Sequence, residues 1–211
     1  MLYVPGSFAE NDLATLHAFI AAHAFATLIS PDAHDPPITH LPLLLDATRG
    51  ERGTLLGHVA RANPHWRQLE SGHTVLAVFH GPHAYVSPSW YANHPSVPTW
   101  NYAVVHVHGQ PRVTHAAAEL ERLVARMVDT FERSREPPWR MQLPADYQAQ
   151  MLNAIVGFEI EITRITGKFK LSQNRPADDR PRVAAALASG GPEERAVAEM
   201  MRERYGVIGA G

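Results

Sequence analysis

Apolar and polar residues alternate along much of the chain, and this alternation predicts short β-strands separated by polar turns. The last alternating segment, residues 157–171, sets Phe158 and Ile160 against Glu159 and Glu161, which predicts a strand with one buried and one solvated face. The other predicted strands lie at residues 24–30, 38–46, 54–60, 73–80, 83–88 and 99–114.

Helical periodicity occurs between and after these strands. The strongest amphipathic pattern runs from Leu120 to Phe131. Asn11 or Asp12 is a suitable cap for a first helix. The remaining helices are predicted at residues 10–23, 63–71 and 146–155 and again from Pro176 onward, before a loose Gly-Ala-Gly end.

Short strands with tight turns and few intervening helices favour a mainly β fold with flanking helices, an antiparallel barrel of the α+β class. We place the barrel domain at residues 1–170. Residues 171–211 then form a helical C-terminal extension that packs on the barrel or on a partner subunit.

Composition narrows the class of protein. The chain has 211 residues, 45% of them hydrophobic, a net charge of −2 and no cysteine. The absence of cysteine excludes disulfides and thiolate metal sites, and the charge does not favour a dedicated nucleic-acid binder. Neither a signal peptide nor a membrane-length apolar run is evident, so we expect a soluble cytoplasmic protein.

The end of the third predicted strand offers a candidate anion site. Arg61 follows this strand, and Asn63 and Pro64 favour a helix start directly after it. An arginine beside a helix N-terminus can bind phosphate with two parallel hydrogen bonds. A plain helix cap with a solvated arginine explains the same residues.

A second candidate region is the segment "PHAYVSPSWYANHPSVPTWNY" at residues 82–102. Its four prolines exclude a helix, and its five aromatic residues are unusual for a solvated loop. The rings of Tyr85, Trp90 and Trp100 therefore need a surface to pack against.

Two further patterns in the sequence involve basic residues. The segment "KFKLSQNR" places Lys168 and Lys170 on one face and carries no acidic residue, which suits a phosphate or a carbonyl group. The thirteen histidines include His106 and His108 on one strand face, but no carboxylate at ligand spacing accompanies them. We therefore predict no metal site.

The sequence resembles the PaiB-like family of FMN-binding negative transcriptional regulators. Phe169 stands where the family pattern usually has tryptophan. The resemblance extends to about Arg180 and rests on seven blocks in the same order: "MLYVPGSF", "HLPLLLD", "GHVARANPHW", "VFHGPHAYVSPSWY", "VPTWNYAVVHVHG", "MLNAIVGFEIEI" and "KFKLSQNR".

The resemblance implies an antiparallel Greek-key split β-barrel, a homodimer, and FMN held in a groove at the subunit interface. It implies that the phosphate lies near a basic residue at a strand end, where Arg61 stands, and that the aromatic segment packs on the flavin or the partner. The cofactor-binding residues that it implies are His58, Val59, Ala60, Arg61, Asn63, Tyr85, Trp100, Asn101, Tyr102, Lys170, Gln173 and Asn174.

Two classes of function stay open at this point. The resemblance implies a transcriptional regulator, with DNA as a partner. The charge does not support DNA binding, and the sequence shows no helix-turn-helix pattern. The alternative is a flavin-dependent oxidoreductase related to pyridoxamine phosphate oxidases, for which no catalytic acid or base is evident. Haem binding through a histidine is a minor third interpretation.

Overall fold

The computed structural model describes residues 2–32 and 34–206, and the predicted loose C-terminal end lies outside them. The α-helices are α1 Leu13–Ala22, α2 His65–Glu70, α3 Ala117–Glu132, α4 Ala145–Asn153, α5 Asp179–Ala188 and α6 Pro192–Tyr205. The strands are β1 Ala9–Glu10, β2 Phe25–Ile29, β3 Ile38–Pro42, β4 Leu44–Asp46, β5 Thr54–Ala60, β6 Val75–Val86, β7 Thr99–Thr114 and β8 Ile155–Lys170.

These strands form one sheet in the order β3-β2-β6-β7-β8-β5-β4, and β1 pairs with β8 outside this path. The pairs β1–β8, β2–β3, β2–β6, β4–β5 and β5–β8 are antiparallel. Strands β5 and β8 are adjacent although about a hundred residues separate them, so non-local pairing dominates the fold.

The predicted strand at residues 38–46 is divided in the structure. Residues before Leu43 pair with β2, whereas Leu44–Asp46 pairs with β5. The N–H of Leu43 donates to the carbonyl of Ala24 at 2.9 Å, and the chain changes pairing partner at this point.

The predicted turn between residues 80 and 83 is wrong, because β6 runs without interruption from Val75 to Val86. Gly81 serves close packing here: a Cβ at this position would lie 2.6 Å from the ring of Phe19. Pro82 is buried within the strand. A Gly-Pro pair is common in turns, but here the contact with Phe19 explains the glycine.

The chain divides into two compact units, which are described separately. Within the described residues, unit 1 contains residues 2–19, 80–106 and 166–206, and unit 2 contains residues 20–79 and 107–165. In unit 2, Leu123 and Met127 of α3 pack with Leu56 of β5 in one apolar cluster. The amphipathic pattern that predicted α3 is therefore confirmed.

In unit 1, α5 and α6 pack against each other, and Val183, Leu187 and Val197 are fully buried. Gly206 closes α6 in the left-handed conformation with φ of 62°, which glycine adopts at low cost. No helix in the described part of the chain is long and apolar enough to cross a membrane.

Candidate functional site

The end of β5 carries three of the predicted cofactor residues, all in unit 2. Val59 is buried, Ala60 is exposed and His58 is half-buried. The Nδ1 atom of His58 is buried and has no hydrogen-bond partner in the described part of the chain. Burial lowers the pKa of His58, so its imidazole is neutral at pH 7. An unpaired buried polar atom is costly, and a ligand atom could satisfy it.

Arg61 lies at the surface directly after β5, as predicted, but its guanidinium is already engaged. Its Nε and one terminal nitrogen donate to the carbonyls of Asn153 and Ile155 at 2.6 and 2.8 Å. The other terminal nitrogen lies 3.1 Å from His115 Nδ1. A guanidinium has more N–H donors than these three contacts use, so donors remain for an anion.

The N-cap residue of α2 is Pro64, which makes no side-chain capping bond, rather than the predicted Asn63. Asn63 lies one residue earlier and contacts the start of the helix. Its Oδ1 accepts a hydrogen bond from the His65 N–H at 3.0 Å, and its Nδ2 donates to Thr39 Oγ1 at 3.1 Å. Helix α2 has only six residues, so we attach no anion site to its N-terminus.

His65 was not singled out from the sequence, yet it is only 2% exposed. Its ring nitrogens lie 2.7 Å from Thr39 Oγ1 and 2.8 Å from Ser30 Oγ. Burial lowers the pKa of this histidine, which keeps it neutral between two hydroxyl groups. An Asn-Pro-His segment shows no signal that would distinguish this buried ring from a solvated one.

Two of the predicted aromatic residues of unit 1, Trp100 and Tyr102, line an open groove of about 470 Å³. Trp100 is 52% exposed, and its ring meets that of Tyr85 edge-on with centroids 6.0 Å apart. The groove is lined by His80, Gly81, His83, Trp100, Tyr102, Ala103, Val104 and His106. Its volume lies within the usual range for ligand pockets, and its walls combine flat rings with imidazole groups.

Lys168 and Lys170 project from the same face of β8 in unit 1. Lys168 is 8% exposed; its Nζ donates to the carbonyl of Tyr3 at 3.0 Å and lies 5.3 Å from the ring centroid of Tyr102. Lys170 Nζ donates to the carbonyl of Trp100 at 2.7 Å and to Thr99 Oγ1. Burial and the charge of Lys168 lower the pKa of Lys170. Neither lysine forms an ion pair within residues 2–32 and 34–206.

The other three predicted residues of unit 1 differ in whether their side chains are available to bind a ligand. The side chain of Gln173 binds the backbone just before it: its Oε1 accepts from the Leu171 N–H, and its Nε2 donates to the Phe169 carbonyl. Asn101 is fully buried and donates to Ser172 Oγ at 2.9 Å. Asn174 is exposed. Gln173 and Asn101 therefore shape the segment after β8, and Asn174 is free to turn toward a ligand.

The predicted residues thus form two groups. In unit 1, Trp100 and Tyr102 line the groove, and Tyr85 and Lys170 contact Trp100. Lys168 lies beside the ring of Tyr102, although it was not among the predicted cofactor residues. Unit 2 brings the strand end 58–61 together with Asn63. No group of three side chains in the described residues is arranged to hold a metal ion.

FMN is a flat aromatic ring system that carries polar edges and a phosphate, and each group of residues, taken by itself, has chemistry that suits one part of it. Unit 1 supplies the aromatic walls of the groove and, beside Tyr102 and Trp100, two lysines that have no acidic partner among the described residues. The strand end of unit 2 supplies a guanidinium with spare donors and the unpaired His58 Nδ1. The donor sets therefore suit an anionic aromatic cofactor.

Comparison with known proteins points the same way. Residues 2–164 match the family model described as "Putative FMN-binding domain". The chain is 34% identical to the Bacillus subtilis "Protease synthase and sporulation protein PAI 2" over 206 residues, which covers 96% of this chain and 98% of the relative. It is 31% identical to the "Uncharacterized protein AN0679" of Emericella nidulans, over 79% of this chain and 81% of that protein.

Solved structures share the fold at low sequence identity. The flavocytochrome Anf3 from Azotobacter vinelandii superposes with a TM-score of 0.60 at 15% identity, covering 77% of this chain and 69% of that one. The FAD and heme binding protein from Mycobacterium smegmatis superposes with a TM-score of 0.56 at 16% identity, covering 87% and 80%.

The antiparallel sheet, its flanking helices and these structural neighbours define the fold of the protein as a split β-barrel. This confirms the predicted fold class. The chain belongs to the FMN-binding domain family that its PaiB-like sequence blocks indicated, and the cofactor of this family is FMN.

Proposed function

We propose that the protein binds FMN as a homodimer, with the flavin ring against the aromatic groove of unit 1. The observation that supports this most is the pair Lys168 and Lys170. Both are partly or largely buried beside the groove, and neither has a carboxylate partner among the described residues. Unpaired positive charge in a protein interior is costly, and an electron-rich ligand removes the cost.

The ring-binding role follows from Trp100, Tyr85 and Tyr102. Large aromatic side chains that stay half-exposed beside an open groove have apolar faces available for a second aromatic system. The phosphate is assigned to Arg61, whose remaining donors suit a dianion. These residue roles are part of the proposal.

The proposed output is regulatory. The Bacillus subtilis relative is named as a sporulation protein, and the PaiB-like resemblance implies negative control of transcription. The net charge of −2 gives no support for direct DNA contact. We therefore propose that the regulatory effect depends on bound FMN and does not act through a basic DNA-binding face.

An oxidoreductase is the second candidate because the groove is open, so that a second molecule could reach a bound ring. A pyridoxamine phosphate oxidase type of activity would require reduction of bound FMN by NADH or NADPH under anaerobic conditions. Haem is the minor alternative, since two solved structures of this fold are described as a flavocytochrome and a heme binding protein. A visible spectrum separates flavin from haem directly.

Titration of FMN with the purified full chain tests the proposal. FMN fluorescence should fall on binding, and Trp100→Ala should weaken binding by up to roughly ten-fold, because an aromatic pair contributes about 0.5–1.5 kcal/mol. Trp139→Ala is the matched control, since Trp139 is 50% exposed but lies outside the groove. Unchanged FMN fluorescence at high protein concentration, or equal effects of both variants, would refute the proposal.

A further inference from the structure

Unit 2 contains a cavity of about 260 Å³ that none of the flavin-related residues lines. It lies between α3 and the strands β5, β7 and β8. Its floor is apolar and consists of Leu56, Leu123 and Phe158, which are 6%, 7% and 2% exposed.

The rim of this cavity is rich in arginine. Arg49 and Arg112 both bind Glu159 at 2.8 Å, through its two different carboxylate oxygens. Arg112 also lies 3.7 Å from Glu119. Both Glu159 oxygens are therefore occupied, and the bonds from Arg112 and Arg49 outweigh burial and lower the pKa of Glu159.

The other two rim arginines come from α3, one turn apart. Arg126 pairs with Asp46 at 3.0 Å. Arg122 is exposed and has no ion pair or hydrogen bond in the part of the chain that the structure describes. Four arginines thus face two rim glutamates and Asp46, which leaves one positive charge in excess, and Arg122 is the guanidinium that carries it.

We propose that this cavity binds a small organic monoanion, a carboxylate attached to an apolar body. The apolar floor receives the body of the ligand, and Arg122 binds the carboxylate with two parallel hydrogen bonds. The single uncompensated charge explains the choice of a monoanion. A fully hydrated inorganic ion would gain nothing from the floor that Leu56, Leu123 and Phe158 form.

The size of the cavity restricts the ligand further. A volume of about 260 Å³ accommodates a phenyl ring with a short chain, but it falls below the range of typical drug-sized pockets, roughly 300–1,000 Å³. Arylalkyl and branched aliphatic carboxylates of this size combine a compact apolar group with one charge.

Isothermal titration of the full chain with 3-phenylpropionate tests the proposal, with the neutral 3-phenylpropionamide as the ligand control. Titrations with and without added FMN show whether binding of the carboxylate depends on the flavin site. The carboxylate should bind at least ten-fold more tightly than the amide, and added salt should weaken the carboxylate alone.

Arg122→Gln should raise the Kd for 3-phenylpropionate about ten-fold, the effect of losing one charge-assisted interaction, and should leave the amide unchanged. Arg133→Gln is the matched control, since Arg133 is also an exposed arginine at the end of α3 but lies outside the cavity. Equal affinities for acid and amide, no binding tighter than about 10 mM, or equal effects of the two arginine variants would overturn the proposal.

Discussion

Arg61 illustrates how one side chain can serve structure and ligand together. Its guanidinium holds the carbonyls of Asn153 and Ile155, which join α4 to β8. These bonds fix the plane of the guanidinium before any ligand arrives. A pre-oriented arginine loses less conformational entropy when it binds phosphate than a freely rotating one.

We therefore predict that Arg61→Ala weakens FMN binding roughly ten- to a hundred-fold, since a charge-assisted hydrogen bond contributes about 1.5–3 kcal/mol. Riboflavin lacks the phosphate, so its affinity should change little. Arg61→Lys should recover part of the loss, because an ammonium group cannot reproduce the fork. Fluorescence titrations measure both ligands.

Arg67→Ala is the control for this prediction, because Arg67 is a neighbouring exposed arginine that packs over the ring of Trp66. Melting temperatures should accompany the titrations, since Arg61→Ala also removes two bonds to backbone carbonyls. Equal losses of FMN and riboflavin affinity would show that Arg61 does not act on the phosphate.

The sequence predicted individual residues best where local chemistry decides their role. Asn63 next to Pro64 predicts a helix start, and α2 begins at His65, whose N–H donates to Asn63 Oδ1. His65 and Lys168 were not recognised as buried, because their burial depends on Ser30, Thr39 and Tyr3, which are distant in the chain. Tertiary contacts of this kind leave no local pattern.

At the scale of elements, α5 is anchored through its first residue, Asp179. This fully buried carboxylate accepts hydrogen bonds from the backbone N–H groups of Ala92 and Asn93 at 2.8 and 3.2 Å. Arg175 binds its second oxygen at 2.7 Å and lies 3.9 Å from the ring centroid of Tyr91. The helix is thereby fixed to the segment that follows β6.

The pH dependence of stability should reveal this anchor. Burial alone would raise the pKa of Asp179, but the bonds from Asn93 and Arg175 dominate and lower it from 3.8 to about 2. The stabilising contribution is therefore complete above pH 3.8 and is lost as the pH falls through 2. Asp179→Asn should lower the free energy of unfolding at neutral pH, and its difference from the natural chain should shrink between pH 4 and pH 2.

Denaturant unfolding at a series of pH values measures this difference. Asp178→Asn provides the control, since Asp178 is exposed and makes no capping hydrogen bond. A gap between the Asp179→Asn variant and the natural chain that stays constant down to pH 2 would contradict the assigned pKa.

The periodicity of apolar residues predicted nearly every long helix and strand. The prediction failed where one residue type suits two different structures. The strand prediction at 99–114 matches β7, because sixteen residues of alternation admit no helix. The Gly81-Pro82 pair indicated a turn. In the structure Gly81 lies inside β6, where the close approach of the Phe19 ring leaves no room for a Cβ. The change of partner at Leu43 could not be predicted, since alternation does not show which strand lies alongside.

At the scale of the whole molecule, the sequence resemblance predicts a homodimer. Unit 1 exposes several large apolar side chains, with Tyr3 79%, Val97 75% and Trp100 52% exposed. Exposed aromatic and aliphatic groups of this kind are common in subunit interfaces. Analytical ultracentrifugation of the full chain should therefore give twice the chain mass of 23.3 kDa.

This measurement should be made with and without FMN, because a cofactor held between subunits stabilises the dimer by mass action. FMN should shift any monomer present toward the dimer. A species of 23.3 kDa that persists at micromolar concentration with saturating FMN would show that the cofactor does not lie between subunits.

The division of the chain between the two units has a consequence for synthesis. Unit 1 combines residues 2–19 with residues beyond 165, and unit 2 is complete only at residue 165. No nascent chain that ends before residue 165 contains all parts of either unit, so the early strands leave the ribosome before the partners that will bury them. Domains usually fold in the order in which they are made, but here both units must wait for β8. Strand β5 lacks its neighbour β8 for about a hundred residues of synthesis, so protection of β5 against aggregation during translation is a requirement that the chain topology itself creates.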